Sequence, residues 1–154
     1  MKRADKHLMM AVILAAMVSI GAIGCGSDSS TSTPLTKALF LKEGNRICKT
    51  KLREKDEIVA KALKELPAGE AGRPSQSTLT ELGKSILEPV RQMTDELSEL
   101  SAPAATKARA EAITRRLEAG VKQAEADPSA LVKENPLSKA GESARAYGLT
   151  ACNF

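Results

Sequence analysis

Between positions 79 and 100 the apolar residues are Leu79, Leu82, Ile86, Val90, Met93, Leu97 and Leu100, at spacings of 3, 4, 4, 3, 4 and 3. A strand repeats every two residues, so only a helix gathers this series onto one side. The seam is narrow, of coiled-coil type. Glu81, Lys84, Glu88, Arg91, Asp95 and Glu99 fall on the other side. A helix over 77–100 is expected, capped by Ser77 or Thr78. Pro89 removes one backbone hydrogen bond and should kink it. The stripe stays in phase across Pro89, which argues for one kinked helix rather than two.

Three further stripes follow the same period. Over 36–66, Phe40, Ile47, Cys48, Leu52, Ile58, Val59, Ala62, Leu63 and Leu66 share one broad face. Lys42, Arg46, Lys49, Arg53, Glu57 and Lys64 lie opposite. Thr36 can cap this helix, and Pro67 with Gly69 ends it. Lys51 and Lys55 fall inside the apolar sector and are expected to snorkel at its edge. Over 103–126 the series is Thr106, Ala110, Ile113, Leu117, Val121 and Ala124, opened by Ser101 and Pro103 and stopped by Asp127-Pro128. A short helical turn is expected over 128–133. The last helix is expected to open with Asn135 as cap and Pro136 in its first turn, facing Leu137, Ala140, Gly141, Ala144 and Tyr147 inward. Gly148 supplies a left-handed terminator, on which Leu149 folds back. No alternating β-branched run competes. The predicted fold is all-α, an antiparallel up-down-up-down four-helix bundle over 36–154.

The chain begins differently. Lys2, Arg3 and Lys6 precede an apolar run over 8–23, broken only by Ser19 and Gly21. As a helix these 16 residues reach about 24 Å, short of the roughly 30 Å hydrocarbon core. A basic start, a short apolar stretch and a small-residue end describe a signal peptide over 1–24. Gly21-Ala22-Ile23-Gly24-Cys25 resembles the bacterial lipobox, in which small residues precede an acylated cysteine. The resemblance implies that Cys25 carries a diacylglycerol and becomes the first residue of the mature chain, on the outer face of the cell membrane. Ala22-Ile23-Gly24 also reads as an ordinary A-x-A-like cleavage site, which would release a secreted protein. An uncleaved anchor is a third reading. Residues 26–34, GSDSSTSTP, hold no side chain able to build a core and extend the tether to residue 35. Such a segment spans roughly 15–18 Å.

Without residues 1–24 the balance of charge changes. Of 23 Lys/Arg and 19 Asp/Glu, three basic and one acidic fall in that segment, leaving 20 against 18. The apparent basicity therefore gives little reason to expect a nucleic acid partner. Aromatic content is 2%, with no Trp, so a base- or sugar-stacking platform is lacking. With Cys25 lipidated, Cys48 and Cys152 remain, and an exported even pair reads most simply as a disulfide. It would close a loop of about 100 residues, for which chain entropy gives roughly 4.7 kcal/mol. Two separate buried thiols are the alternative. The up-down topology returns the end of the last helix to the first half of the first, where Cys48 sits. Phe40 to Ile47-Cys48 and the tail Tyr147-Gly148-Leu149-Thr150-Ala151-Cys152 resemble segments of small helical lipoproteins of high-GC Gram-positive bacteria. That resemblance implies no particular activity.

The only histidine, His7, lies in the signal segment. Residues 25–154 thus lack the base of Ser-His-Asp and Cys-His catalysis and any histidine ligand for zinc, copper or haem. Met93 sits in a seam and reads as core. Glu96 with Glu99, and Glu54 with Asp56 and Glu57, read as solvating helix pairs rather than catalytic or metal-binding groups. Gly69 and Gly72 belong to a polar turn, not a phosphate loop. Lys42, Arg46, Lys49 and Arg53 form a basic stripe near the tether. They are either a solvated face or a contact for anionic headgroups or wall polymers, at roughly 1 kcal/mol per basic residue near an anionic surface. The expected function is a non-enzymatic, membrane-anchored binding protein for a protein partner or envelope component, without cofactor or metal. The alternative is a small-ligand or lipid carrier with a cavity between helices. An intact, non-reduced mass from the native membrane fraction should match residues 25–154 plus a diacylglycerol group, less two hydrogens. An unmodified mass from the culture fluid would identify the ordinary cleavage site instead.

Overall fold

A computed structural model describes residues 33–66 and 73–154. The expected signal segment 1–24, Cys25 and the tether as far as residue 32 lie outside the described residues. Helix α1 spans Lys37–Lys64, and Thr36 caps it by accepting a hydrogen bond from the Leu39 N–H at 3.3 Å. Lys61 and Lys64 occupy its last turn, where cations complement the helix dipole. Just before α1, Leu35 already belongs to the fold. Its N–H donates to the Ser101 carbonyl at 3.0 Å, and its side chain packs on the core.

Helix α2 spans Gln76–Glu99 and runs through Pro89. Its cap is Ser75, not Ser77 or Thr78. The Ser75 hydroxyl accepts from the Thr78 N–H at 3.2 Å and also meets the Ser77 and Thr78 hydroxyls at 2.9 Å, so those two residues lie within the first turn. A 3-10 turn at Ala104–Thr106 leads into α3, Lys107–Ala126, followed by the short α4, Ala130–Lys133, and α5, Ser138–Tyr147. Between α3 and α4 the Asp127 carboxylate accepts from the Ser129 N–H at 3.0 Å and its hydroxyl at 2.7 Å. The Ser129 hydroxyl holds that carboxyl below its ordinary pKa.

Asn135 does not cap α5. It takes the left-handed conformation, φ 46°, and its side-chain oxygen accepts from the Leu137 N–H at 3.3 Å. That local turn places Pro136 before the helix, which starts at Ser138. Asn tolerates such a conformation because its short amide bonds its own backbone. At the other end Gly148, φ 115°, donates to the Ala144 and Arg145 carbonyls, and the Leu149 N–H returns to Ala144 at 2.9 Å. Leu149 is buried in the core, as its position after the glycine implied.

The bundle packs α1 on α2, α2 on α3 and α3 on α5, with α4 against α2 and α3. Its core centres on Met93, Leu97, Ile113 and Leu117, with Ile47, Cys48 and Leu149 behind them. Phe40 meets Tyr147 edge to face, with ring centroids 5.8 Å apart, and the Tyr147 hydroxyl lies 2.6 Å from that of Thr106. The up-down expectation placed α5 beside α1, yet no residue of α1 comes within 8 Å of α5, Cα to Cα. The segment after α5 closes the gap instead. A disulfide joins Cys48 to Cys152 with 5.0 Å between their Cα atoms, and both cysteines are buried. Asn45 works beside it, donating to the Gly148 carbonyl at 3.3 Å and accepting from the Ala151 N–H at 2.7 Å.

Helix lengths decide what is left uncovered. The four long helices hold 28, 24, 20 and 10 residues, or about 42, 36, 30 and 15 Å. The short last helix and its tail cover only the first half of α1, whose buried residues are Phe40, Gly44, Ile47 and Cys48. The expectation that the whole apolar face of α1 enters the core is therefore corrected. Leu52, Ile58, Val59 and Ala62 are half-buried, and Leu63 is 56% exposed.

Close approach is tightest at Gly83, where a Cβ would stand 1.9 Å from the Pro128 carbonyl oxygen. Gly83→Ala should destabilise the protein by about 1–3 kcal/mol, because overpacking against backbone outweighs the roughly 1 kcal/mol gained in helix propensity. Denaturant unfolding of the variant checks this. An unchanged or raised midpoint would mean that α2 does not lie against that turn.

Candidate functional site

The basic stripe assembles as spaced. Lys42, Arg46, Lys49 and Arg53 are all exposed on the outer face of α1. Two of the four are neutralised on their own helix: the Arg46 Nε lies 2.8 Å from Glu43 Oε2, and the Arg53 Nε lies 3.7 Å from Glu57 Oε1. The Arg46 hydrogen bond lowers the Glu43 pKa, and the same bond raises that of Arg46. Among the described residues no ion pair involves Lys42 or Lys49. Two of the four cations are therefore paired at short range and two are not, although the charge of Lys42 also acts on Glu43.

Lys51 does not snorkel. Its Nζ reaches across to α2, 2.7 Å from Gln92 Oε1 and 3.5 Å from Glu96 Oε1, with Glu54 at 3.4 Å. The carboxylates of Glu54 and Glu96 are therefore tied into a cross-helix link, which is a structural role. Lys55 does lie at the edge of the apolar sector, its Nζ 3.3 Å from Asp56. Among the described residues no group of three His, Cys, Asp or Glu side chains could hold a metal ion.

The uncovered part of α1 produces the most distinctive surface. Leu52 and Val59 of α1, Leu82, Ile86 and Val90 of α2, and Leu131 and Val132 of α4 enclose a half-open cavity of about 160 Å³. Phe154 and Leu137 close one side, while Lys55 and Asn135 bring polar atoms to its wall. Beyond Leu82 it continues into a wider hollow of about 360 Å³ lined by Ala62, Leu63, Leu66, Pro74 and Leu79 together with Glu65, Ser77, Thr78, Glu81 and Ser85. Residues from both α1 and α2 thus form one groove, mainly apolar and with carboxylates and hydroxyls along its wider part, running toward the end of α1 remote from Thr36. Reading the sequence placed the α1 and α2 residues on apolar faces, and Ile86 and Val90 are indeed buried. That the far half of the α1 face stays only half-buried follows from the unequal helix lengths, since the last helix is too short to cover the first.

Among the described residues no helix is long and apolar enough to cross a membrane. No family model, curated protein or solved structure matches this chain.

An uncovered groove and a filled core respond differently to truncation. Leu117→Ala, in the core, should cost about 2–5 kcal/mol, whereas Leu63→Ala should stay within about 0.5 kcal/mol. Equal losses in chemical unfolding would mean that the α1/α2 groove is covered in solution.

Proposed function

We infer that residues 25–154 form a lipid-anchored, non-enzymatic binding module on the outer face of a membrane, and that the α1/α2 groove receives a protein partner. The observation that carries this reading is an apolar groove left open by two long helices beside a short one. Exposed contiguous apolar surface on a soluble domain commonly marks an interaction site. Half-buried aliphatic side chains along two rigid helices offer an apolar seat of the kind used for a partner helix or loop.

Placement supports the same reading. The anchor at Cys25 would lead through the tether into the first turn of α1. Leu63 stands about 39 Å farther along that helix. The far part of the groove therefore lies at the end of α1 opposite the one the tether would enter, so a partner seated there need not meet the tether. The stretch from Leu35 to Cys48, tied to Ser101 and to the C-terminal tail, serves as the fixed base.

A carrier of lipids or small molecules is the second reading. Enclosed cavities that hold drug-sized ligands run to about 300–1,000 Å³. The two parts of the groove are about 160 and 360 Å³, and both are half-open rather than enclosed. The core beside it is closed, with Met93, Leu117 and Leu149 fully buried.

A photo-crosslinking residue placed at Val59 in the full chain, expressed in its native membrane, distinguishes the two. A discrete protein adduct is expected from Val59 and none from Glu118 on the exposed side of α3. A co-purifying small molecule that occupies the Val59 position, with no protein adduct, would favour the carrier. Equal adducts from both positions would overturn the groove as a docking site.

A further inference from the structure

The other side of the bundle carries a second groove of opposite character. Between α3 and α5 run two contiguous hollows of about 220 and 200 Å³ that share Arg116. Together they extend from Arg109 to Gln123 on α3, a length of about 21 Å. The furrow exists because small residues line the seam: Ala112, Ala119 and Gly120 on α3 face Ala140 and Ala146 on α5. Gly120 marks the closest approach, since a Cβ there would stand 2.7 Å from Leu137 Cδ2 and 3.0 Å from the Pro136 carbonyl oxygen.

Its polar lining has one sign of charge. Arg109, Arg116 and Lys139 line it, whereas no Asp or Glu does; Glu118 and Glu142 are exposed but belong to neither hollow. Arg109 and Arg116 sit seven residues apart on one face, about 10 Å along the axis. Arg116 already holds the Ser143 hydroxyl across the furrow, so its guanidinium is positioned rather than free-swinging. At the tether end, Arg109 and Lys37 both lie over the Tyr147 ring, at 5.7 and 5.6 Å from its centroid. None of Lys37, Arg109, Arg116 and Lys139 joins an ion pair among the described residues. This contrasts with the α1 stripe, where glutamates offset two of four cations.

We propose that the α3/α5 furrow binds an extended phosphate-bearing chain, a phosphodiester polymer of the cell envelope, with Arg109 and Arg116 each engaging a phosphate and Lys139 supporting the second. Guanidinium groups match phosphate oxygens bidentately, and cations spaced along a groove fit a repeating anion better than a single headgroup. Bases would find no free platform here. Tyr147, the one aromatic of the furrow, is packed against Phe40 and bonded to Thr106.

This inference rests on the outer-surface placement proposed above but not on the partner reading, because the groove and the furrow involve different helices and different chemistry. The test uses the full chain in non-ionic detergent, with long-chain inorganic polyphosphate as the probe and water-soluble glycerophosphoglycerol, the phosphatidylglycerol headgroup, as a second arm. Polyphosphate should bind at low salt and dissociate steeply as salt rises. R109Q/R116Q should weaken binding at least about tenfold, while K42Q/K49Q, which removes the same charge from α1, should stay within about twofold. If R116Q disturbs packing through Ser143, K139Q supplies the same test from an exposed position. Equal losses from the two double variants, or no polyphosphate binding, would overturn the proposal. Binding confined to glycerophosphoglycerol would overturn it too, and would assign the cations to lipid headgroups. Stronger binding of an oligothymidylate of matched charge would reject a base-independent site.

Discussion

The fold depends on a closure that helix packing alone does not provide. Helix α1 packs on α2, but no Cα of α1 comes within 8 Å of one in α5, and these two helices meet through the Phe40 and Lys37 side chains against Tyr147. The residues after α5 complete the circuit. Gly148 turns the chain, Leu149 enters the core against Gly44, and Cys152 bonds to Cys48. Asn45 satisfies the Ala151 N–H and the Gly148 carbonyl, both of which would otherwise be left beside apolar surface. The covalent bond spans 104 positions and so removes much of the freedom of the unfolded chain, roughly 4.7 kcal/mol by the loop-closure argument. Few aromatic residues are needed when the last seam is sealed in this way.

Much of this architecture was legible in the sequence because it rests on period and chain chemistry. The 3-4 spacing from Leu79 to Leu100 identified α2 despite Pro89, since an in-phase stripe outweighs one lost hydrogen bond. Thr36 and Gly148 act as read, each through its own local geometry. The cysteine pairing also followed, because two cysteines on elements that return to one another have little choice of partner. Local competition was harder to read. Ser75, Ser77 and Thr78 can all cap a helix, and only the path of the incoming chain selects Ser75. Asn135 forms a turn where a cap was expected, because it takes the left-handed conformation that asparagine tolerates and spends its side-chain oxygen on the Leu137 N–H.

What the sequence hides is which side chains meet across elements. Lys51 looked like a snorkelling lysine because periodicity places it in an apolar sector. Gln92 and Glu96 on α2 turn it into a bridge. The α1 basic stripe was visible at once, since its cations are close in sequence, but the glutamates that neutralise half of it count equally. The furrow of Arg109, Arg116 and Lys139 joins residues from two helices 30 positions apart and has no local signature beyond the seven-residue spacing of its arginines. Its depth comes from alanines and a glycine that sequence reading assigns to close packing. Small residues do bring these helices together, but along their outer edge they also leave a channel.

The position of Cys48 along α1 also sets how the domain bears load. Tension applied between the chain before Thr36 and the end of α1 near Leu63 would run along a single helix. The first strain falls on the turns between Lys37 and Ile47, held by backbone hydrogen bonds and by the link from Leu35 to Ser101. If those turns unravel, the chain pays out only as far as Cys48. There the pull divides, and the C-terminal tail must move with α1 because the two are one covalent node. The disulfide would thus make the first half of α1 and the C-terminal tail share such a load, spreading it over the base of the domain.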